Sequence, residues 1–292
     1  MRTATKNKNK FVLTLMFTII IILTLVVVVL VAALMKRPAE EIDPHEGQVY
    51  INDGFGMVWM TPLEGVDVNN ISQSDIVRYD GVPKYVGEGY ETLRGVDVSE
   101  HQYDIDWAAV AASGVDFAYI RLGYRGYTQG GLFEDAYFKA NIEGAKSNGI
   151  KVGVYFFSQA LDEKEAIDEA NFVLESIKDY PLSYPVIFDW EDIQADARTD
   201  GMNSVQLTKN ALAFCSAIEK AGYRAGVYFN QRFGYEEFDL ESLQDYVFWL
   251  AEYNETPSFS YHFQLWQYCN DGRVDGIQTD VDLNLAFLRA KH

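Results

Sequence analysis

The sequence predicts an α/β protein. Its expected core is a TIM-like irregular barrel of eight strands, five with crossover helices and three largely without. One transmembrane helix and a small β lead-in precede it. Three observations carry this reading: a strand pattern that recurs behind glycines, a tightening of that rhythm near the C-terminus, and one long uncharged N-terminal run.

The chain has 292 residues, 48% of them apolar, enough for a sizeable core. Residues 1–37 carry six basic groups and no acid, whereas the rest carries 18 basic and 43 acidic groups. So acidic a body does not hold nucleic acid, whose phosphates need Lys and Arg. Two cysteines, Cys215 and Cys269, are too few for a disulfide scaffold, and two buried thiols are expected rather than a bridge.

Phe11 to Met35 holds 25 residues without a charge. A hydrocarbon core needs about 20 apolar residues, and a cleaved leader has an apolar stretch of roughly 7–15. An uncleaved signal-anchor is therefore expected over a cleaved leader, although Ala32-Ala33 loosely resembles a cleavage site. Four basic residues precede the run, which places the N-terminus in the cytoplasm and the remainder outside the cell membrane. The expected divisions are a basic tail (1–10), a single-pass span in the lipid bilayer (11–35), a stalk with β-hairpins (36–93) and a barrel (94–292). In the stalk, Val49 to Ile51, Met57 to Met60 and Lys84 to Val86 are strand-like, broken by Gly54, Gly56, Pro62 and Gly87. The hairpins either pack on the barrel or space it from the membrane.

Three runs share one design: Gly114 to Ile120, Gly149 to Phe156 and Gly222 to Phe229. Each glycine ends a helical stretch, and each following run is apolar on both faces, as in a buried parallel strand. The glycines lie 35 and 73 residues apart, so one marker is missing; Tyr184 to Glu191 fills the gap. Gly95 to Val98 opens the series, making five strands. Between them, Ala166, Ala170, Val173 or Leu174, and Ile177 line one helix face behind Asp162 as N-cap. Leu207, Ala211, Phe214 and Ile218 line another. Three more strands, at Phe248, Phe263 and Val281, start too close together for full crossover helices. Eight strands close a small barrel.

In such a barrel the chemistry lies at the C-terminal strand ends. Asp97, Asp189, Glu191 and Asp282 stand there. Asp189 and Glu191 are two apart and leave the same strand face. Crowded carboxylates cannot all ionise, so one keeps a proton beside an anion, the equipment of glycoside cleavage. An Asp-x-Glu alone serves equally as a loop cap or ion-pair partner; the four together favour catalysis. Tyr124, Tyr155, Phe157, Tyr228, Trp249, Tyr253 and Trp266, with Tyr268, lie near strand ends and suit the apolar faces of sugar rings, about half of them being expected to fill core instead. No zinc spacing joins His45, His101, His262 and His292, and the sequence has neither a nucleophile-elbow motif nor a phosphate loop, so no metal and no cofactor are expected. His101 is expected to be a loop residue.

Gly95-Val96-Asp97-Val98-Ser99-Glu100-His101-Gln102 with Ile105-Asp106-Trp107 resembles the opening motif of glycoside hydrolase family 25 muramidases, the Chalaropsis-type lysozymes. Phe188-Asp189-Trp190-Glu191, Trp249 to Tyr253, Trp266-Gln267-Tyr268, and Gly276-Ile277 with Val281 to Asn284 resemble later motifs, covering residues 94–288. The resemblance implies cleavage of the β-1,4 bond between N-acetylmuramic acid and N-acetylglucosamine in peptidoglycan glycan strands; separately, a monomeric catalytic domain is expected. It implies Glu191 as general acid, Asp189 steadying the acetamido group or the transition-state charge, and Asp97 and Asp282 tuning pKa values and holding sugar. Retention through the substrate's acetamido and other stereochemical routes both stay open. Tyr103 stands where the family often has glycine, and no wall-binding repeats occur. Gly65-Val66-Asp67-Val68 echoes the first motif without its Ile-Asp-Trp and reads as lead-in. Rival readings are a non-catalytic tethered glycan-binding protein and a glycosidase of another N-acetylated glycan. A chitinase motif is disfavoured by Tyr184 and Ile187 at its aspartate positions. The wall is itself anionic; an anchor makes charge attraction unnecessary by holding the enzyme near its polymer.

Overall fold

The computed structural model describes residues 2–35, 43–52, 56–193 and 195–290. Part of the expected stalk (36–42, with Lys36, Arg37, Glu40 and Glu41) and the turn with Gly54 lie outside them. The chain forms two units, Met1–Glu46 and Gly47–His292.

In the first unit, α1 (Arg2–Met35) is one helix. Within it Val12–Ala32, 21 residues, is long and apolar enough to cross a membrane.

The second unit opens with two antiparallel hairpins, β1 (Val49–Asn52) with β2 (Met57–Met60), and β3 (Ile76–Tyr79) with β4 (Val82–Tyr85). Of the two arrangements open from sequence, packing on the barrel is the one found for the lead-in between them. The Leu63 N–H donates to Tyr261 Oη at 2.6 Å. The Gln73 amide donates to the Pro257 carbonyl at 2.9 Å. Arg78 pairs with Glu255 at 2.9 Å. The motif echo at Asp67 accepts the His262 N–H through its carbonyl at 2.8 Å.

Eight strands then close a barrel: β5 (Tyr90–Val98), β6 (Phe117–Arg125), β8 (Lys151–Phe157), β9 (Val186–Asp189), β10 (Ala225–Asn230), β11 (Val247–Ala251), β12 (Leu265–Gly272) and β13 (Val281–Arg289). The first strand begins at Tyr90, ahead of the expected boundary at 94. A short β7 (Leu132–Glu134) folds back on β6. Pairing from β5 through β12 is parallel, and antiparallel β13 joins β12 to β5. The crossovers carry α2 (Trp107–Ala112), α3 (Phe138–Ser147), α4 (Glu163–Ile177), α5 (Ser204–Lys220) and one-turn α6 (Leu240–Leu243). No helix stands between β11, β12 and β13, because the connections are too short.

Local chemistry sets these elements. Gly114, Gly149 and Gly222 take φ of 85°, 78° and 89°, as left-handed helix ends require. Asp162 Oδ1 accepts the Glu165 N–H at 2.9 Å, a cap worth about 1 kcal/mol. Ala166, Ala170, Val173 and Ile177 of α4 are buried, as are Leu207, Ala211, Phe214 and Ile218 of α5. Strand alternation separates two layers. Val96, Ile120, Val154, Phe188, Leu250 and Trp266 face the helices and loops outside. Phe117, Tyr119, Ile187, Tyr228, Trp249 and Leu265 fill the barrel. Room for these rings comes from inward glycine: a Cβ on Gly95 would lie 2.2 Å from the Phe117 ring. Cys215 is buried, Cys269 half-buried, and neither is bridged.

Candidate active site

Alternation puts Asp97, Asp189 and Asp282 inward at one end of the barrel. Asp97 on β5 and Asp282 on β13 are register partners across the antiparallel seam. Asp189 ends β9, beside Tyr228 of β10 in register. Glu191 lies beyond the strand; Trp190 between them turns outward and packs on Phe233. All four carboxylates line one cavity of about 160 Å³, with Tyr155, Tyr228, Trp249, Tyr253 and Gln267.

Asp97 is held tightly. Its Oδ2 accepts from Gln267 Nε2 at 2.9 Å and from Asn284 Nδ2 at 2.7 Å. Asn284 is oriented in turn by Trp249 Nε1, which donates to its Oδ1 at 2.8 Å. Gln267 Oε1 accepts from Tyr228 at 2.9 Å and Tyr253 at 2.8 Å. Asp189 differs: its Oδ1 is buried without a partner among the described residues. The Glu191 carbonyl accepts from Gln159 Nε2 at 3.4 Å, and the Asp189 carbonyl accepts the Ser158 N–H at 2.7 Å. Behind them Glu169 is fully buried, accepting from Arg125 at 2.7 Å and Ser158 Oγ at 2.6 Å.

Crowding and burial raise every carboxyl pKa in the cavity. Burial raises Asp97, partly offset by the amides of Gln267 and Asn284. Burial, then the charge of Asp97 and a hydrogen bond to it, pushes Asp282 to about 9. Burial raises Asp189 well above the carboxylate range, reinforced by Glu191 and Asp97 and opposed by Arg121. Burial and then Asp97 raise Glu191. Asp97, with two amide donors, is best equipped to stay anionic; Asp282 keeps a proton and shares it with Asp97.

Of the expected sugar-facing aromatics, Tyr155, Tyr228, Trp249 and Tyr253 line this cavity. Three do not. Tyr124 stacks on Phe133 at 5.4 Å, with Arg121 over its ring. Phe157 is level with Asp189 in register but outside the lining. Trp266 is wholly buried on the outer layer, donating to the Glu252 carbonyl at 2.7 Å. Gln267 points inward, so period-two alternation sends Trp266 and Tyr268 outward. His101 is exposed in the turn Glu100–Gln102. Tyr103, next in the chain, has φ of 54°, the backbone region that favours glycine. Sequence reasoning missed Gln267 and Asn284 as the groups that hold Asp97; their alternation with Trp266 and Leu285 was the available signal.

The profile described as Glycosyl hydrolases family 25 matches residues 96–277. An autolytic lysozyme of Clostridium acetobutylicum is 28% identical over 193 residues, 66% of this chain and 55% of that protein. The chain thus spans about half that relative's length. Lysozyme M1 of Streptomyces globisporus is 26% identical over 206 residues, 66% of this chain and 67% of that protein. Among solved structures, the modular autolysin LytC of Streptococcus pneumoniae, in complex with a synthetic peptidoglycan ligand, superposes with a TM-score of 0.62 at 26% identity, covering 83% of this chain and 57% of that one. A family 25 glycosyl hydrolase of Bacillus anthracis shares the fold, with a TM-score of 0.56 at 24% identity, over 68% of this chain and 89% of that one.

Proposed function

The chain belongs to glycosyl hydrolases family 25, and from that premise we propose that it is an N-acetylmuramidase cleaving the β-1,4 glycan bond of peptidoglycan. One observation carries the reading: Asp97, Asp189, Glu191 and Asp282 converge on a single cavity walled by Tyr155, Tyr228, Trp249 and Tyr253. The names of the lysozyme and autolysin relatives support the substrate class.

Glu191 is the general acid. Its raised pKa keeps a proton available for the glycosidic oxygen. Asp189 and Glu191 both resist ionisation, so together they hold a proton in the empty site. A substrate N–H, or positive charge growing on the sugar, opposite Asp189 draws the anion there and leaves the proton on Glu191. Asp189 lines the cavity and is placed to meet that group. Asp97 and Asp282 form the fixed wall, one anionic and one protonated. The test is incubation of the full chain with purified peptidoglycan. Mass spectrometry should find new reducing ends on N-acetylmuramic acid; reducing ends on N-acetylglucosamine, or none, overturn the assignment.

Val12–Ala32 anchors the enzyme in the membrane, with the basic N-terminus inside and the barrel outside. Protease added to intact protoplasts should remove the barrel. A protected barrel, or a soluble form beginning near Ala33, overturns the anchor.

A further inference from the structure

The end of the barrel opposite the carboxylates holds a larger cavity, about 810 Å³, within the range that takes small ligands. It lies where the parallel strands begin. Arg224 precedes β10, Val247 and Leu265 open β11 and β12, and Arg289 closes antiparallel β13.

The charges on its wall are unusual for this chain. Residues 43–290 contain nine arginines. Six are ion-paired, and Arg94 donates to the Ser113 carbonyl. Of these nine, only Arg224 and Arg289 have a guanidinium with neither a hydrogen bond nor an ion pair among the described residues, and both line this cavity. Scarcity of partners does not explain it, since the chain has 43 acidic residues against 24 basic ones. Asp67 and Glu91 line the same cavity, and their carboxylates are likewise without a hydrogen bond or ion pair among the described residues. Two cations and two anions therefore share one hollow without neutralising one another. Leu265 and Phe287 give it an apolar surface.

Guanidinium groups bind carboxylates and phosphates by paired donors. A phosphate-rich ligand would leave Asp67 and Glu91 facing negative charge, which is costly. A ligand bearing both signs matches all four. We propose that this cavity binds a short peptide with free carboxylates and free ammonium groups, carboxylates to Arg224 and Arg289, ammonium groups to Asp67 and Glu91. The peptide class rests on the charges alone. Its source, the short peptides carried on the wall glycan, rests on the proposed hydrolase reading. Such a site gives an acidic enzyme a local hold on an anionic polymer, and gives a use to the motif echo at Asp67.

Calorimetric titration of the full chain in detergent micelles tests it. The probes are the tripeptide alanyl-glutamyl-lysine with free termini, its N-acetylated and C-amidated alanyl-glutaminyl-alanine counterpart, and inorganic phosphate. The charged tripeptide should bind saturably. Affinity should fall at least about tenfold in an Arg224→Gln/Arg289→Gln double variant and, separately, in Asp67→Asn; that factor is about 1.4 kcal/mol. All variants should keep the wild-type melting temperature and the wild-type turnover of peptide-free glycan. Absence of saturable binding overturns the proposal. So does equal binding by the double variant, or binding of phosphate or the neutral peptide as tight as that of the tripeptide. Binding is read without turnover, so its failure and a failure of the hydrolase reading are distinct results.

Discussion

Asp97 and Asp189 face the same cavity with the same functional group, yet their surroundings differ. Asp97 accepts from Gln267 and Asn284, which Tyr228, Tyr253 and Trp249 hold in place. Asp189 has an Oδ1 that is buried and unpartnered among the described residues, and its neighbour Glu191 lies past the strand end. The protein therefore ties down the Asp189 carboxyl less than that of Asp97, which holds two amide donors. The Asp97 side is finished before substrate arrives. The comparison teaches where chemistry is expected to move: protons and charge change on the unfinished side, against a fixed wall.

The largest effect should come from Glu191→Gln. It keeps the shape and removes the transferable proton, so turnover should fall by about 10²–10⁴-fold with the melting temperature held. Muropeptide release and thermal unfolding on one preparation decide it. Near wild-type release from a folded variant would remove Glu191 from the mechanism. Asp189→Asn should cost about 10²–10³-fold in kcat, the range for losing one electrostatic stabiliser. Should Asp189→Asn be milder than Asp97→Asn, the division into a working side and a fixed side fails.

Gln267→Leu sharpens the comparison from the other side. It removes a donor that lowers the Asp97 pKa. Asp97 should then ionise at higher pH, and the acidic limb of the pH–rate profile should move upward. A profile that only drops in height, without moving, would place Gln267 in packing alone.

Asp282→Asn tests the proton on the fixed wall. A carboxyl whose pKa rises on folding binds its proton more tightly in the folded chain. Its contribution to stability is full below the unfolded value near 3.8 and fades as pH climbs to about 9. An Asn at 282 carries no such charge. The melting temperature of Asp282→Asn relative to wild type should therefore rise between pH 4 and pH 9. A flat difference would mean that Asp282 is ionised in the folded protein.

The barrel was legible because period-two strands, helix-ending glycines and short late connections each leave a local mark. Asp97, Asp189, Glu191 and Asp282 were legible because carboxylates at strand ends conflict with burial. Direction across the barrel wall was harder. Trp249 and Trp266 both sit near strand ends in aromatic surroundings, and composition does not separate them. One register step does: Trp249 faces in with Ala251, while Trp266 faces out beside inward Gln267. The amide relay to Asp97 was invisible for the same reason, since Gln267 and Asn284 look unremarkable until β12 and β13 pair and place them against β5. The packing of the lead-in depends on contacts such as Leu63 to Tyr261, nearly 200 residues apart in sequence, for which no local pattern exists.

That register step yields the smallest effect. Trp249→Phe and Trp266→Phe make the same chemical change on opposite faces of the barrel wall. Each loses one indole N–H bond, to Asn284 Oδ1 at 2.8 Å and to the Glu252 carbonyl at 2.7 Å. The Trp249 change leaves the buried Asn284 Oδ1 short of a donor, costing about 1–3 kcal/mol of stability, whereas the Glu252 carbonyl keeps the Asn254 N–H at 3.0 Å. Melting temperature should fall in both. Turnover should separate them. Loss of the Trp249 bond frees Asn284 to turn away from Asp97, so the pH–rate profile should shift as in Gln267→Leu, though by less. Loss of the Trp266 bond touches the outer layer, and turnover per folded molecule should stay near that of wild type. If Trp266→Phe moves the pH–rate profile as far as Trp249→Phe, the inner and outer faces are coupled through Glu252, and the separation of a catalytic interior from a structural exterior does not hold.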